Sequence, residues 1–262
     1  MNRIRAIIVP AAVFQSVIVG GAYGTGREVV EFISTYGALG GLLAIATAGV
    51  SFAVVLAASF EFARVFAAWD YRQFLRALLG PAWIAYELMF AVLLIIILAV
   101  TGAAAGKVLT DALAVPSAVG IALLFVGVVM LNFFGRSIVE RTLGAGAIVL
   151  LTGLLAYSAA IFFDEKAALW QHVNAGSVAP GWWLSGTKFA VYNSALIPVL
   201  LYSARDLRDR ASALWAGALA AVFGVLPATL LHLTFVAGGP QLLDEALPTY
   251  AMIERFMPAA AP

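Results

Sequence analysis

The sequence predicts an all-α, polytopic transmembrane bundle of about seven helices. Three observations carry that prediction. The 262 residues are 63% hydrophobic and only 11% charged, with a mean hydropathy of +1.00, where a soluble domain would carry about a quarter charged residues. The apolar residues come in blocks of about twenty or more, the length that crosses a hydrocarbon core of ~30 Å. The alternation of barrel strands is missing and lipid tolerates no open sheet edge, so the blocks are helices.

Reading apolar runs between charged or turn-rich breaks gives spans over 7–34, 38–66, 82–106, 118–135, 143–163, 184–204 and 212–237. The breaks are short, so neighbouring helices run antiparallel. Basic residues orient the bundle. With a cytoplasmic N-terminus, the inner segments hold ten: Arg3, Arg5, Arg64, Arg72, Arg76, Arg136, Arg141, Arg205, Arg208 and Arg210. The outer segments hold four, Lys107, Lys166, Lys188 and Arg255, with Arg27 inside the first span. The positive-inside rule therefore places the N-terminus in the cytoplasm. All six tryptophans fall at span ends or in connections, where amphipathic rings sit at headgroup level. Met1 to Arg5 before an apolar run also fits a signal peptide, but no small-residue cleavage site and polar mature domain follow.

Without cysteine there is no disulfide and no thiolate chemistry. His172 and His232 lack the spacing of two ligands on one helix face, so no metal site and no resident cofactor are expected. A net charge of +1 gives no footprint for nucleic acid; the expected partners are the bilayer and a small solute.

Two spans read as broken. In the first, Gly20-Gly21-Ala22-Tyr23-Gly24-Thr25-Gly26 places four glycines in seven residues, each weakening a helix by about 1 kcal/mol relative to alanine. Arg27, Glu28 and Glu31 follow. A charge at mid-membrane costs at least roughly 2.5–3.5 kcal/mol, so these residues lie toward the outer face or line an aqueous vestibule. Close helix packing through the Gly20/Gly24 pair is the other reading. In the sixth span, Tyr192-Asn193-Ser194 lies midway and Pro198 follows within a turn, removing a backbone donor. A kinked helix with an interhelical asparagine competes there with an unwound segment facing a solute or ion. Broken helices near the midplane are how many secondary transporters build a site. Breaks five helices apart fit inverted repeats, with 1–163 as the first five-helix unit and 184–262 as an incomplete second.

The stretch from Gly20 to Glu28, continuing to Phe32, resembles the first-helix motif of the YkvI-like family of bacterial membrane proteins, roughly Gly-Ala-Gly-Phe-Ala-Ser/Thr-Gly-Gln/Arg-Glu. That family belongs to the amino acid–polyamine–organocation superfamily with the LeuT-like fold. The resemblance implies a ten-helix core in the bacterial inner membrane, with substrate between broken helices one and six. It implies that Gly20, Gly21, Ala22, Tyr23, Gly24, Thr25 and Gly26 contact substrate or a coupling cation, joined by Tyr192, Asn193 and Ser194. Glu28 matches the family's acid, and with Glu31 and Lys188 it would line the outer vestibule. This chain reads Gly-Gly-Ala for Gly-Ala-Gly and has Tyr23 for phenylalanine, which leaves substrate identity open. Seven spans against ten imply a chain truncated at its carboxy end, with 241–255 an external re-entrant or amphipathic segment.

Elsewhere, Glu61 and Arg64 are spaced as an interfacial i,i+3 ion pair. Glu87 either snorkels to the inner interface or relays protons. Lys188 either snorkels or neutralises Glu28 or Glu31. The expected function is a secondary transporter of a small polar solute such as an amino acid, coupled to Na⁺ or H⁺, and not an enzyme. No Gly-x-x-x-x-Gly-Lys-Ser/Thr loop binds a nucleotide. A membrane enzyme lacks its His/Glu constellation, and a retinal protein lacks a lysine in the last span. A non-transporting scaffold or sensor built on a transporter remains the alternative.

Overall fold

The computed structural model describes residues 2–19, 23–133 and 166–256, together with 149, 151–156, 158–160 and 163. Every regular element among the described residues is helical. In order they are α1 (Arg3–Ile18), α2 (Arg27–Phe32), α3 (Ala38–Val65), α4 (Tyr71–Leu79), α5 (Trp83–Leu113), α6 (Ser117–Phe133), α7 (Lys166–Asn174), α8 (Trp182–Ser194), α9 (Ile197–Leu200), α10 (Arg210–Gly238) and α11 (Pro248–Phe256).

Among the described residues three units are long and apolar enough to cross a membrane: α3, the stretch Tyr71–Asp111 that takes in α4 and most of α5, and α10. The first and sixth expected spans are each divided, α1 from α2 and α8 from α9. The fourth is the 17-residue α6. The expected fifth, 143–163, falls largely outside the described residues.

The core forms where α10 packs along α3, with α1 against α10 and α8 against α3. The spans are apolar all round, so shape decides which faces meet. A Cβ on Gly186 of α8 would run into the Ala44 carbonyl oxygen of α3 and come within 2.9 Å of its carbon. Hydrogen in place of a methyl is what lets those two backbones touch. Phe14, Phe52 and Phe189 fill the centre; Phe52 meets Phe14 at 5.3 Å and Phe189 at 6.1 Å, both edge-on. By contrast α5 pairs chiefly with α6 and leaves Leu88, Val92, Ile95 and Ile96 exposed. Half the most apolar window of α10 is buried, but only 6% of that in Tyr71–Asp111. An exposed apolar face of that extent belongs in lipid or against another protein.

One end of the bundle collects charge. Asp209 caps α10 by accepting from the Ser212 amide at 2.9 Å, and that bond holds its carboxyl below the usual range. Arg3 reaches the same cap, donating to Ser212 Oγ at 3.1 Å and to Asp209 at 3.4 Å. Arg64 grips Glu61 through two bonds of 2.7 and 2.8 Å, the expected i,i+3 pair. The connection 67–81 is not irregular: Asp70 caps α4, which buries Phe74 and Leu75 and exposes Arg72 and Arg76. Such a helix suits a membrane surface. Arg76 lies 4.6 Å over Trp83, and Arg72 is 3.6 Å from Glu87. Glu87 thus has an ion-pair partner at its own end of α5.

Candidate functional site

The first break is real in the backbone. After α1 ends, Gly24, Thr25 and Gly26 are non-helical and α2 restarts at Arg27. Gly26 has φ +76°, the left-handed region that glycine enters without a Cβ penalty. Thr25 Oγ1 accepts from the Arg27 amide at 3.3 Å, and the Thr25 carbonyl accepts from the Thr249 amide at 3.3 Å. Gly20, Gly21 and Ala22 lie outside the described residues.

The second break falls just past the expected position. Tyr192, Asn193 and Ser194 are still the last turn of α8, and the chain leaves the helix at Ala195 and Leu196. Pro198 explains the position, since it has no amide to offer the Ser194 carbonyl one turn back. The Val199 amide, the helical partner of the next carbonyl, turns to Leu196 at 3.2 Å, and the Ala195 carbonyl accepts from the Tyr86 hydroxyl of α5 at 2.5 Å. Asn193 and Ser194 turn back onto their own helix, donating to the carbonyls of Phe189 at 3.0 Å and Ala190 at 2.7 Å.

Part of the expected set comes together. A cleft of about 680 Å³ is lined by Gly24, Thr25, Arg27, Glu28, Glu31 and Phe32 on one side, by Tyr192, and by α5 from Ile96 to Leu109 on the other. The Tyr192 hydroxyl donates to Glu28 Oε1 at 3.4 Å, while Glu28 Oε2 is buried with no hydrogen-bond partner. Phe32 stacks with Tyr192, centroids 6.5 Å apart and planes 16° from parallel. Ser185 of α8 fixes that geometry by donating to the Phe32 carbonyl at 2.8 Å.

Other expected residues do not line it. Tyr23 is buried and its hydroxyl donates to the Gly224 carbonyl of α10 at 2.7 Å, which makes it a fastener of the break. Gly26 packs away from the cleft: an added Cβ would strike Thr249 Oγ1 and lie 2.8 Å from Phe235 Cζ. Asn193 is buried in the core, and Lys188 is exposed on α8 and absent from the cleft wall. Glu31 does line the cleft, and there it takes Arg27, not Lys188, as its partner at 3.3 Å.

Three contributors escape a reading of the sequence: Phe32 as a wall residue, Arg27 as an anchor, and the α5 wall. Arg27 Nη1 donates to the carbonyls of Leu243 and Glu245 at 2.8 and 3.1 Å, tying the segment before α11 to the break. A signal for α5 exists in the run Thr101-Gly102-Ala103-Ala104-Ala105-Gly106, six small residues inside an otherwise bulky helix. His232 of α10 is buried between Ser34 and the Ala38 carbonyl, 3.0 and 2.9 Å away. The carbonyl can only accept, so the proton sits on Nε2 and Nδ1 accepts from Ser34; the imidazole is a structural tie. A second cavity, about 340 Å³, lies beside α10, and the described residues that line it include no ionisable side chain.

No protein-family model matches this chain, and no curated protein or solved structure matches it either.

Proposed function

We propose that this protein is a secondary active transporter for a small polar solute such as an amino acid, driven by a Na⁺ or H⁺ gradient. The observation that carries the reading is the meeting of two interrupted helices at one cleft. The first interruption supplies Gly24 and Thr25, the helix that restarts after it supplies Glu28, and the helix that ends at the second supplies Tyr192. Interrupted helices present backbone groups inside a membrane only where they are buried or face water or a ligand. The volume, about 680 Å³, suits a small solute. The LeuT-like arrangement and the kinship with YkvI-like permeases belong to the same proposal. So does an inner-membrane location with Arg3, Arg64 and the cap of α10 on the cytoplasmic side, the end where these charges gather.

The test is uptake by the purified chain in sealed liposomes, with Na⁺ and H⁺ gradients imposed separately and a panel of labelled amino acids outside. Concentrative uptake that collapses when the gradient is dissipated is the expected result. Liposomes that accumulate no member of the panel under either gradient would leave the scaffold or sensor reading in its place.

A further inference from the structure

The charges around the cleft do not balance. Its described lining contains one basic and two acidic side chains, Arg27, Glu28 and Glu31. Arg27 is committed elsewhere: its Nε donates to Glu31 at 3.3 Å, and its Nη1 to two carbonyls of the 240–245 segment. That pair cancels. Glu28 is left with a long bond from Tyr192 on one oxygen and nothing on the other, which is buried. A buried carboxylate oxygen without a donor is costly until a donor or cation reaches it. Beside it stand two aromatic faces, Phe32 and Tyr192, and across the cleft is the aliphatic wall of Ile97, Val100 and Val108.

Carboxylate and aromatic faces together are what an ammonium group seeks, since ring quadrupoles attract cations. A bare metal ion favours a shell of oxygens, and much of this wall is hydrocarbon. An anion would add to the uncompensated charge. We propose that the cleft recognises the protonated amino group of its solute. Glu28 is the counter-ion, Phe32 and Tyr192 flank the ammonium, and the α5 wall receives an aliphatic body. This rests on the reading of the cleft as the solute site, and it names the substrate class: primary amines with an apolar side chain, amino acids among them.

Binding separates this inference from transport. The full chain in lipid nanodiscs is titrated at neutral pH with L-leucinamide, whose amine is mostly protonated there, and with its des-amino analogue 4-methylpentanamide and the anion 4-methylpentanoate. Saturable binding of leucinamide is expected, about tenfold or more tighter than the neutral amide, with none of the acid. Glu28→Gln should weaken leucinamide by about thirtyfold, and Phe32→Leu by about threefold. Glu87→Gln, at the Arg72 end of α5, serves as the carboxylate control and should leave binding unchanged. The ligand series on the unaltered chain decides the matter even where Glu28→Gln fails to fold. Equal affinity for leucinamide and 4-methylpentanamide overturns the proposal. So does undiminished binding in a folded Glu28→Gln. Saturable binding of radioactive Na⁺ that Glu28→Gln abolishes, with no preference for the amine, assigns the carboxylate to a coupling ion and also overturns it. Amine binding without uptake would remove the transporter reading alone; uptake indifferent to the amino group would remove this one alone.

Discussion

Replacing Gly26 by alanine tests how the first break is built. From composition alone, alanine should restore helix propensity by about 1 kcal/mol. At φ +76° there is no helix to restore, and the sign reverses. Holding an L-residue in the left-handed region costs roughly 1–2 kcal/mol. The new methyl also enters space held by Thr249 Oγ1 and Phe235 Cζ, and overpacking of that kind costs typically 1–3 kcal/mol. Together they destabilise by about 2–5 kcal/mol, a fall in midpoint on the order of 5–15 °C for a domain of this size. The assay is thermal unfolding in detergent at matched scan rates, followed by circular dichroism. Thr249→Ala provides the control. Its hydroxyl is buried without a partner, so removing it should cost little by itself. In the double variant it should recover about 1–2 kcal/mol, the steric share, and leave the backbone share. A Gly26→Ala chain that unfolds within about 2 °C of the parent would refute both parts of the reasoning.

Gly24 is exposed on the cleft wall, so Gly24→Ala should leave the midpoint near the parent's while abolishing uptake in liposomes. Normal uptake would assign this glycine to packing. Gly186→Ala should destabilise by about 1–3 kcal/mol, and no side-chain change at Ala44 should rescue it, because the obstacle is backbone; rescue by Ala44→Gly would contradict that geometry. Tyr23→Phe removes the bond to the Gly224 carbonyl and should cost about 0.5–1.5 kcal/mol in the same unfolding assay, without altering leucinamide affinity. Single cysteines at the exposed positions Gln73 and Ala175 should react with an impermeant maleimide from opposite faces of intact cells. Labelling of both from outside would overturn the proposed orientation.

Much of the candidate site was legible because its signals are local. A run of glycines followed by Thr25 and three charges announces a break wherever the chain goes, and α1 does stop there. Pro198 announces another, and the helix fails within three residues of it, after Ser194 instead of before. The Glu61–Arg64 pair needed only helical spacing, and it forms. Arg72 and Glu87 belong to different helices, so the ion pair that occupies Glu87 could not be read from spacing.

What the sequence determined by itself is helicity and the positions where helices give way, because both follow from short-range chemistry: apolar composition, glycine entropy and a missing proline amide. What the tertiary structure decided is which way each side chain faces. In a soluble helix an apolar stripe would reveal the inward face, but α3, α5 and α10 are apolar on every side and carry no such stripe. Facing is set by shape, as where Gly186 admits the Ala44 backbone. That choice turns Asn193 onto its own helix, Tyr23 onto Gly224 and Gly26 onto Thr249. It leaves Glu28 in the cleft with one carboxylate oxygen unpartnered, a juxtaposition that depends on α2, α5 and α8 packing as they do.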